Sequence, residues 1–276
     1  MSKIWFITGA SRGFGRRFAE AALSRGDRVI ATARSVEALS GLVETYGDAV
    51  LPLQLDVTSK SDATAAVAAG RAHFGGLDVV VNNAGFGLFG AVEEMTEADV
   101  RAQFETNVFG ALWVTQAALP YLREQGSGNI VLLSSMLGTT PGPTTGGYSA
   151  AKAAVEVLGD SLAQEVAGFG IKVTVVQPGP FATEFGASSS YSTPMAEYEE
   201  IRNAYMGSFS ESDMADPAGV GRAILKVVDA DAPPLRVFFG SAPHYVVPPV
   251  FAARLAAWEQ WAWLSAEAEQ SAPQLP

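Results

Sequence analysis

Residues 3–15 read KIWFITGASRGFG, and this stretch decides the fold. A short apolar run ends in a turn with glycine at positions 9, 13 and 15, and apolar residues at helical spacing follow over residues 14–25. Short apolar runs bounded by glycine are typical of buried strands, whereas the longer periodic segment is typical of a helix. The stretch therefore predicts a strand, a tight turn and a helix in succession.

The same alternation of short β-branched runs and Ala-rich segments continues along the chain. We predict strands at residues 3–8, 28–33, 49–55, 78–82, 128–134, 172–177 and 235–239. We predict helices at residues 14–25, 36–46, 62–74, 96–124, 148–169 and 217–229. Strands that are apolar on both faces and separated by helices form parallel sheets. We therefore expect an α/β fold, a Rossmann-type doubly wound parallel sheet of about seven strands with helices on both faces, as a single domain over residues 1–276.

The composition excludes several classes of protein. With 48% hydrophobic and 17% charged residues among 276, the chain can form a large core and is not of disordered composition. Its 18 basic and 29 acidic residues give a net charge of -11, which disfavours nucleic acid as a partner. The chain has no cysteine, so disulfides and thiolate metal sites are excluded. Its two histidines, His73 and His244, lie far apart in the sequence, and we expect no metal site.

The sequence shows no targeting or membrane segment. The apolar run near the N-terminus stops at Thr8 and Gly9, too early for a signal peptide. The longest stretch without charge, residues 125–151, is rich in Ser, Thr, Gly and Pro and is unsuited to a membrane span. We expect a cytoplasmic protein without a membrane partner.

The glycine turn at residues 8–15 indicates a site for a dinucleotide. Glycines let backbone N–H groups approach a pyrophosphate, and the N-terminus of the following helix attracts the anion. An ordinary turn, with glycine only for its backbone angles, is the alternative. An NAD site has an acidic residue about twenty residues beyond the glycines, where this chain has Ala33 and Arg34. Arg12 and Arg34 suit a 2′-phosphate, so we expect NADP(H) rather than NAD(H), unless Arg34 only begins a solvated helix.

Polar residues also follow the other predicted strands. Asp56 and Val57 follow the third strand, where Asp56 either caps the next helix or meets an adenine. The sequence Asn-Asn-Ala-Gly at residues 82–85 follows the fourth strand and is either a plain turn or part of the site. After the sixth strand, residues 178–183 form a rigid turn that carries a hydroxyl.

A pair of residues with acid–base chemistry begins the helix after the fifth strand. Tyr148 and Lys152 are four residues apart and are therefore neighbours on one helix face. A nearby ammonium lowers the pKa of a tyrosine, so we expect Tyr148 to be a usable acid near neutral pH. Ser134 and Ser135 end the preceding strand.

Taken together, these residues resemble the short-chain dehydrogenase/reductase family over about residues 3–240. The matches are the glycine turn at 8–15, the turn at 82–85, Asn107, Ser135, Tyr148, Lys152, and Pro178-Gly179 with Thr183. The resemblance favours Ser135 over Ser134, because Ser135 has the family's spacing to Tyr148. It implies that NADPH gives a hydride to a substrate carbonyl carbon while Tyr148 gives a proton to the oxygen.

The resemblance also implies a role for each neighbour of Tyr148. Ser135 would hydrogen-bond the substrate oxygen, and Lys152 would depress the pKa of Tyr148 and hold the nicotinamide ribose. Asn107 would hold a water that links Lys152 to solvent, or else is a buried amide at a helix irregularity. The predicted catalytic residues are thus Ser135, Tyr148, Lys152 and Asn107. The predicted cofactor contacts are Gly9, Ser11, Arg12, Gly13, Phe14, Gly15, Arg34, Asp56, Val57, Asn83, Ala84, Gly85, Tyr148, Lys152, Pro178, Gly179, Phe181 and Thr183.

Residues 179–213, which we call the lid, are aromatic and acidic, and in the resembled family this segment is mobile and covers the substrate. Its large apolar residues are Phe181, Phe185, Tyr191, Met195, Tyr198, Tyr205, Met206 and Phe209. Its acids are Glu184, Glu197, Glu199, Glu200, Glu211 and Asp213. The acids would repel anions, and Phe86, Phe89 and Leu137 would add apolar wall. We expect a neutral apolar ketone, aldehyde or secondary alcohol as substrate, unless the acids lie on a solvated outer face and carry no such information.

Residues 242–276 are expected to form a C-terminal helical extension. Trp258, Trp261 and Trp263 lie close together, and the first two share one helix face. We expect the extension to dock on its own domain beside the lid, with a subunit contact as the alternative. The predicted helices at 96–124 and 148–169 resemble those that pair between family subunits, which implies a homodimer or homotetramer.

The sequence as a whole favours an NADP(H)-dependent oxidoreductase that interconverts a carbonyl and an alcohol. A non-catalytic NADP(H)-sensing regulator or scaffold on the same fold is the alternative, although a sensor has no need of an activated phenol. An epimerase or dehydratase with the same Tyr–Lys pair would carry a Thr-Gly-x-x-Gly-x-x-Gly turn and a larger C-terminal substrate region. The sequence has neither.

Overall fold

A parallel sheet of seven strands lies at the centre of the protein. The computed structural model describes residues 2–208 and 210–269, so Phe209 of the lid and residues 270–276 of the extension lie outside the described residues. The strands are β1 (Ile4–Ile7), β2 (Arg28–Ala33), β3 (Val50–Gln54), β4 (Val79–Asn82), β5 (Leu88–Phe89), β6 (Gly128–Leu133), β7 (Ile171–Pro178), β8 (Ser190–Tyr191) and β9 (Arg236–Phe239). The helices are α1 (Gly13–Ser24), α2 (Ser40–Tyr46), α3 (Lys60–Phe74), α4 (Glu97–Phe104), α5 (Gly110–Gln125), α6 (Gly146–Val166), α7 (Glu199–Gly207), α8 (Val220–Asp229), α9 (Pro243–Gln260) and α10 (Ala262–Ala268).

The order of the strands places the ligand crevice. The large sheet runs β3-β2-β1-β4-β6-β7-β9, and all of its pairings are parallel. The order reverses between β1 and β4, and in open α/β sheets ligands bind beyond the carboxyl ends of the strands at such a reversal. The α/β fold predicted from the sequence is confirmed, and each predicted strand of this sheet agrees with the structure to within one residue at either end.

The core has two layers because successive residues of a strand face opposite sides of the sheet. Trp5 and Ile7 of β1 pack in the layer that α1, α2 and α8 cover. Phe6, between them, packs in the layer that α3, α5 and α6 cover. All three side chains are fully buried, and each such side chain stabilises the fold by about 1.5–3 kcal/mol. The strand that precedes the glycine turn is therefore anchored on both sides.

One predicted helix is interrupted. The segment predicted as a single helix at 96–124 forms α4 and α5 with a π-helical turn, Glu105–Phe109, between them. A π turn inserts one extra residue and changes the direction of the side chains beside it. Asn107 lies in this turn and is buried. The interruption thus sets the direction of a residue that the sequence places at the active site.

Two strands of two residues each escape prediction. β5 and β8 pair in parallel, with Leu88 opposite Ser190 and Phe89 opposite Tyr191. Strands this short show no periodicity that a sequence could reveal. Their pairing joins the lid to the segment that follows β4.

The C-terminal helices do not dock along their whole length as expected. Pro243 and Val247 of α9 are buried, whereas residues 251–269 are exposed. Arg254 still donates a hydrogen bond to the carbonyl oxygen of Thr139, at 2.8 Å. The expectation rested on Trp258 and Trp261 sharing one helix face, whereas the apolar residues of α9 as a whole lie all round the helix and define no side for burial.

Two further observations concern the described residues alone. None of the helices within residues 2–208 and 210–269 combines the length and the hydropathy that crossing a membrane requires. Over the same ranges, no three His, Asp or Glu side chains come together as a metal site.

Candidate active site

The glycine turn after β1 has a backbone that only small residues allow. Gly9 and Gly13 have φ angles of +65° and +55°, in the left-handed region. A Cβ atom on Gly15 would lie 2.3 Å from the carbonyl oxygen of Gly9 and 2.5 Å from Nδ2 of Asn83. The turn therefore packs directly on the start of α1, which brings backbone N–H groups to the edge of the sheet.

The N-terminus of α1 is an open site for an anion. Arg12 is its N-cap residue, its side chain caps none of the described N–H groups, and the first turn contains no acidic residue. Arg12 and Arg34 are exposed, and neither forms an ion pair with a described carboxylate. Ser11 is half-buried in the same turn. Free N–H groups, a helix dipole and two guanidinium groups form a favourable setting for phosphate.

Asn83 holds the glycine turn against the end of β4. Its Nδ2 donates to the carbonyl oxygens of Thr8 (2.9 Å) and Gly9 (3.1 Å). In return, the hydroxyl of Thr8 accepts from the backbone N–H groups of Asn83 and Ala84, both at 2.9 Å. These hydrogen bonds therefore hold the turn at residues 82–85 and the glycine turn in a fixed arrangement.

Two predicted cofactor contacts pack on each other. The ring of Phe181 lies edge-on to the ring of Phe14, with centroids 5.0 Å apart. Phe181 follows β7 and Phe14 opens α1, so this contact fixes the turn after β7 beside the glycine turn. The neighbouring Thr183 accepts a hydrogen bond from the backbone N–H of Phe185, at 3.3 Å, and Gly179 bonds to Phe239 at the end of β9.

Asp56 does not cap the following helix. Its Oδ1 accepts from the backbone and the hydroxyl of Thr58, at 3.0 and 2.8 Å, and stays in the turn. Ser59 caps α3 instead, through the N–H of Asp62. Val57 is buried and packs against Gly110. The carboxylate of Asp56 is exposed at the sheet edge.

Asn107 is held by one neighbour. Its Oδ1 accepts from the N–H of Phe86 and its Nδ2 donates to the carbonyl of Phe86, at 3.1 and 2.9 Å. A Cβ on Gly85 would lie 3.0 Å from Oδ1 of Asn107 and 3.6 Å from Nζ of Lys152. The side chains of Asn107 and Lys152 therefore both lie close to Gly85, which has no room for a larger residue beside Asn107.

Ser135, Tyr148 and Lys152 come together at the end of β6. Ser135 caps the short 3₁₀ turn that follows this strand, accepting from the N–H of Leu137 at 3.2 Å. Tyr148 lies in the first turn of α6 and Lys152 one turn further. Nζ of Lys152 donates to the carbonyl oxygen of Leu133 at 2.6 Å and lies 5.7 Å from the centroid of the Tyr148 ring. All three side chains are buried.

The pKa of Tyr148 moves in the direction opposite to the sequence-based expectation. Burial raises the pKa of Tyr148 to about 12, against a hydrogen bond with Ser135 that lowers it. Burial also lowers the pKa of Lys152 to about 8, and the charge of Glu156 opposes that change. The expectation failed because it weighed the ammonium alone, whereas desolvation of the phenolate dominates. At neutral pH the site presents a protonated phenol and a protonated amine.

The two adjacent serines point to different partners. The hydroxyl of Ser134 donates to Oε1 of Glu156 at 2.6 Å, whereas Ser135 lies at Tyr148. Glu156 was not among the residues that the sequence singled out. The signal was available, because Glu156 follows Lys152 by four residues in an otherwise Ala- and Val-rich stretch.

The lid covers Tyr148. The rings of Phe185 and Phe89 lie 5.5 and 5.9 Å from the ring of Tyr148, centroid to centroid. Tyr148 is consequently only 6% exposed. The surface that faces the phenol is therefore aromatic.

Glu94 fastens the lid to the segment after β4. Its carboxylate accepts from the N–H of Met195 at 2.7 Å and pairs with Arg202 of α7. The hydrogen bond from Arg202 lowers the pKa of Glu94 to about 2. The side chain of Glu211 lies outside the described part of the chain, and the other acids of the lid, Glu184, Glu197, Glu199, Glu200 and Asp213, are exposed. The structure thus favours the solvated outer face for these acids, so their charges do not argue for a particular substrate.

The seven-stranded parallel sheet, with a glycine turn beyond its first strand, defines the class of Rossmann-type α/β proteins. Residues 3–193 match the family described as short chain dehydrogenase, and the chain belongs to this family of oxidoreductases. An oxidoreductase of Botryotinia fuckeliana, BOA17, is 44% identical over 245 residues, which cover 87% of this chain and 89% of the relative.

Two solved structures extend the comparison. The crystal structure of a short-chain dehydrogenase from Streptomyces avermitilis superposes with a TM-score of 0.91 at 40% identity, over 98% of this chain and 100% of the other. An alcohol dehydrogenase from the archaeon Thermococcus sibiricus, complexed with 5-hydroxy-NADP, has a TM-score of 0.72 at 27% identity, over 87% of this chain and 96% of the other.

Proposed function

We propose that the protein is an NADP(H)-dependent reductase of neutral, apolar ketones or aldehydes that also oxidises apolar secondary alcohols to ketones. The observation that carries the proposal is the buried group of Ser135, Tyr148 and Lys152 at the end of β6, beside the open N-terminus of α1. A phenol that is protonated at neutral pH can give its proton to a carbonyl oxygen. The NADP-type ligand of the Thermococcus sibiricus enzyme supports the choice of cofactor.

The residues present fit a dinucleotide phosphate. The pyrophosphate would lie at the glycine turn, where Gly15 has no room for a Cβ. Arg12 and Arg34, both exposed and without a described carboxylate partner, would hold the 2′-phosphate. Asp56 and Val57 would meet the adenine. Ala84, Gly85 and the turn from Pro178 to Thr183 would face the ribose and nicotinamide.

In the proposed reaction, each residue around Tyr148 has a separate role. When bound at the glycine turn, NADPH would supply the hydride that reduces the carbonyl carbon. Tyr148 gives its phenolic proton to the carbonyl oxygen, which becomes the hydroxyl of the alcohol, and Ser135 hydrogen-bonds that oxygen as negative charge develops. The Lys152 ammonium stabilises the phenolate that remains on Tyr148. Asn107 lies across Gly85 from Lys152, where it would hold a water that returns the proton.

The aromatic cover favours an apolar substrate. The rings of Phe89 and Phe185 both pack on Tyr148, and burying their apolar surface on a substrate is worth roughly 25 cal/mol per Å². Consumption of NADPH, followed by its absorbance with a panel of steroid, terpenoid, aromatic and sugar carbonyls, tests the proposal. We expect turnover with the apolar members and none with the sugars. If the protein binds NADPH yet reduces no member of the panel, the proposal is wrong.

Removal of the Arg34 guanidinium should change the preference between cofactors. For Arg34→Ala we expect the KM for NADPH to rise about 10- to 100-fold, because one charge-assisted phosphate contact is lost. The KM for NADH should change by no more than about twofold. Arg222→Ala, which removes an exposed arginine from α8, is the matched control and should leave both constants unchanged. Equal rises for NADPH and NADH would contradict the 2′-phosphate assignment.

The pH dependence of reduction should report Lys152. Reduction needs Tyr148 as the phenol and Lys152 as the ammonium. Tyr148, with a pKa of about 12, stays protonated near neutral pH. Lys152, with a pKa of about 8, loses its proton first, so we expect kcat to be constant near neutral pH and to fall as the pH rises through about 8. The measurement is kcat at saturating NADPH from about pH 6 to 10. A rate of reduction that increases over this range would refute the assignment of acid and ammonium.

We further infer that the protein forms a homodimer or homotetramer through α5 and α6. Val157 of α6 is 67% exposed, and its neighbour Leu158 is exposed as well. In sedimentation experiments we expect a multiple of the protomer mass. Val157→Asp should shift the protein toward the monomer, whereas Val43→Asp, at an exposed valine of α2 on the other side of the sheet, should not. A wild-type protein that sediments as a monomer would exclude this interface.

A further inference from the structure

A third polar residue shares the face of α6 that carries Tyr148 and Lys152. Glu156 follows Lys152 by one helical turn, as Lys152 follows Tyr148. Its side chain is buried, with 6% of the residue exposed. Burial of a carboxylate is costly unless hydrogen bonds and charges compensate for it. The hydrogen-bond partners of Glu156 therefore indicate which segments the carboxylate joins.

The residues that donate hydrogen bonds to Glu156 lie on either side of Ser135 in the sequence. Ser134 donates to Oε1 at 2.6 Å, and Thr139 donates to Oε2 at 3.3 Å. Between them, Gly138 passes so close that a Cβ would lie 2.5 Å from Oε1. Gln177 of β7 donates to the hydroxyl of Thr139 at 2.9 Å and completes the network. The carboxylate therefore holds both ends of the segment 134–139 against α6.

The charges around Glu156 come from three elements. On α6 these are Lys152 and Asp160, on β9 Arg236, and on α9 Arg254. Arg236 places its Nε 3.8 Å from Oε2 of Glu156 while it binds Asp160 at 2.5 Å, and Arg254 binds the carbonyl of Thr139. Glu156 in turn raises the pKa of Lys152 against the effect of burial.

We propose that Glu156 is a positioning residue of the active site, which fixes the segment that carries Ser135 against the helix that carries Tyr148 and Lys152. This inference rests on the reaction proposed above. Glu156 touches neither substrate nor cofactor in this role. It sets the distance between Ser135 and the Tyr148 hydroxyl through Ser134 and Thr139, and its negative charge favours the ammonium form of Lys152.

Glu156→Gln removes the negative charge of the side chain and keeps nearly the same shape. The amide fills the same space, but its NH₂ group cannot accept a hydrogen bond, so either Ser134 or Thr139 loses its acceptor. The loss of negative charge also removes a stabiliser of the Lys152 ammonium. Glu165→Gln, on an exposed part of the same helix, is the matched control.

The first measurement needs neither substrate nor cofactor. The chain has five lysines, Lys3, Lys60, Lys152, Lys172 and Lys226, so carbon NMR of protein labelled at lysine resolves their titrations, and Lys152→Met identifies the resonance of Lys152. We expect Lys152 to titrate at a pH lower by about half a unit or more in Glu156→Gln than in the wild type. Glu165→Gln should titrate as the wild type does.

The second measurement distinguishes positioning from stability. We expect kcat of Glu156→Gln to fall about tenfold or more, while the dissociation constant of NADPH stays within about twofold of the wild type. Ser134→Ala, which leaves the charge in place, should lower kcat in the same way but leave the Lys152 titration unchanged. The double variant should lose little more than Glu156→Gln alone, because both substitutions weaken the same contact between α6 and the segment 134–139.

The possible results are distinct. If Glu156→Gln matches Glu165→Gln in both the lysine titration and kcat, the inference is wrong. If the wild type binds NADPH but reduces no carbonyl, the proposed function fails, and the lysine titration still decides whether Glu156 acts on Lys152. If Glu156→Gln does not fold, Ser134→Ala supplies the test, and an unchanged kcat in that variant overturns the positioning role.

Discussion

Replacement of Tyr148 by phenylalanine is expected to lower the kcat of carbonyl reduction by about 10³-fold or more, since a positioned general acid contributes about 10²–10⁴ to a rate. The hydroxyl is the proton donor of the proposed reaction, and the phenol is held protonated by burial. The ring of Tyr148 packs against the rings of Phe89 and Phe185. Phenylalanine preserves these contacts, so the dissociation constant of NADPH should stay within about twofold.

Tyr191→Phe is the control for this experiment. Tyr191 is also an aromatic residue of the site region, since its ring lies 5.6 Å from that of Phe89. Its hydroxyl, however, donates a hydrogen bond to the carbonyl oxygen of Gly186 in the lid, at 3.2 Å. We expect this variant to keep the wild-type rate within about twofold. Turnover by Tyr148→Phe at a rate close to that of Tyr191→Phe would remove Tyr148 from the mechanism.

A methyl group at position 15 is expected to abolish cofactor binding at ordinary concentrations. In Gly15→Ala the new Cβ would lie 2.3 Å from the oxygen and 2.9 Å from the carbon of the Gly9 carbonyl. Both are backbone atoms, so the turn itself must move away from α1. We expect the dissociation constant of NADPH to rise about 100-fold or more, and overpacking to cost about 1–3 kcal/mol of unfolding free energy.

Gly168→Ala is the matched control for the turn. Gly168 has open space around the position of a Cβ and lacks a left-handed backbone. Its substitution should therefore leave both NADPH binding, measured by fluorescence, and the melting temperature nearly unchanged. Unaltered NADPH binding in Gly15→Ala would show that the glycine turn does not cradle the cofactor.

The sequence predicts the sheet well because the signals for buried strands are local. Each strand is a continuous apolar run between turn residues, and β1 itself packs on both faces through Trp5, Phe6 and Ile7. The same property explains why the sequence predicts a candidate site at one edge of the sheet. In a parallel sheet the carboxyl ends of all strands lie at one edge, so polar residues that follow different strands meet there.

The features that escaped the sequence depend on contacts between distant segments. The β5–β8 pairing joins Leu88 to Ser190, about a hundred positions apart, through strands too short to show a pattern. The sign of the pKa shift of Tyr148 depends on how completely the lid covers it, which no spacing of residues encodes. Glu156 could have been found from its position relative to Lys152, but its partners Ser134 and Thr139 are known only from the folded chain.

The contacts that hold the lid in place affect the apparent affinity for every substrate. Phe185 lies on Tyr148, and Glu94 binds Met195 and Arg202, so we expect a substrate to reach the phenol only when these contacts open. The apparent affinity of any substrate is its intrinsic affinity multiplied by the fraction of molecules in which the lid is open. Substitutions in the Glu94 contacts, which touch no substrate, thus rescale the affinities of all substrates by one common factor. Under the proposed function, we expect selectivity among substrates to depend instead on Phe89 and Phe185, whose rings pack on Tyr148.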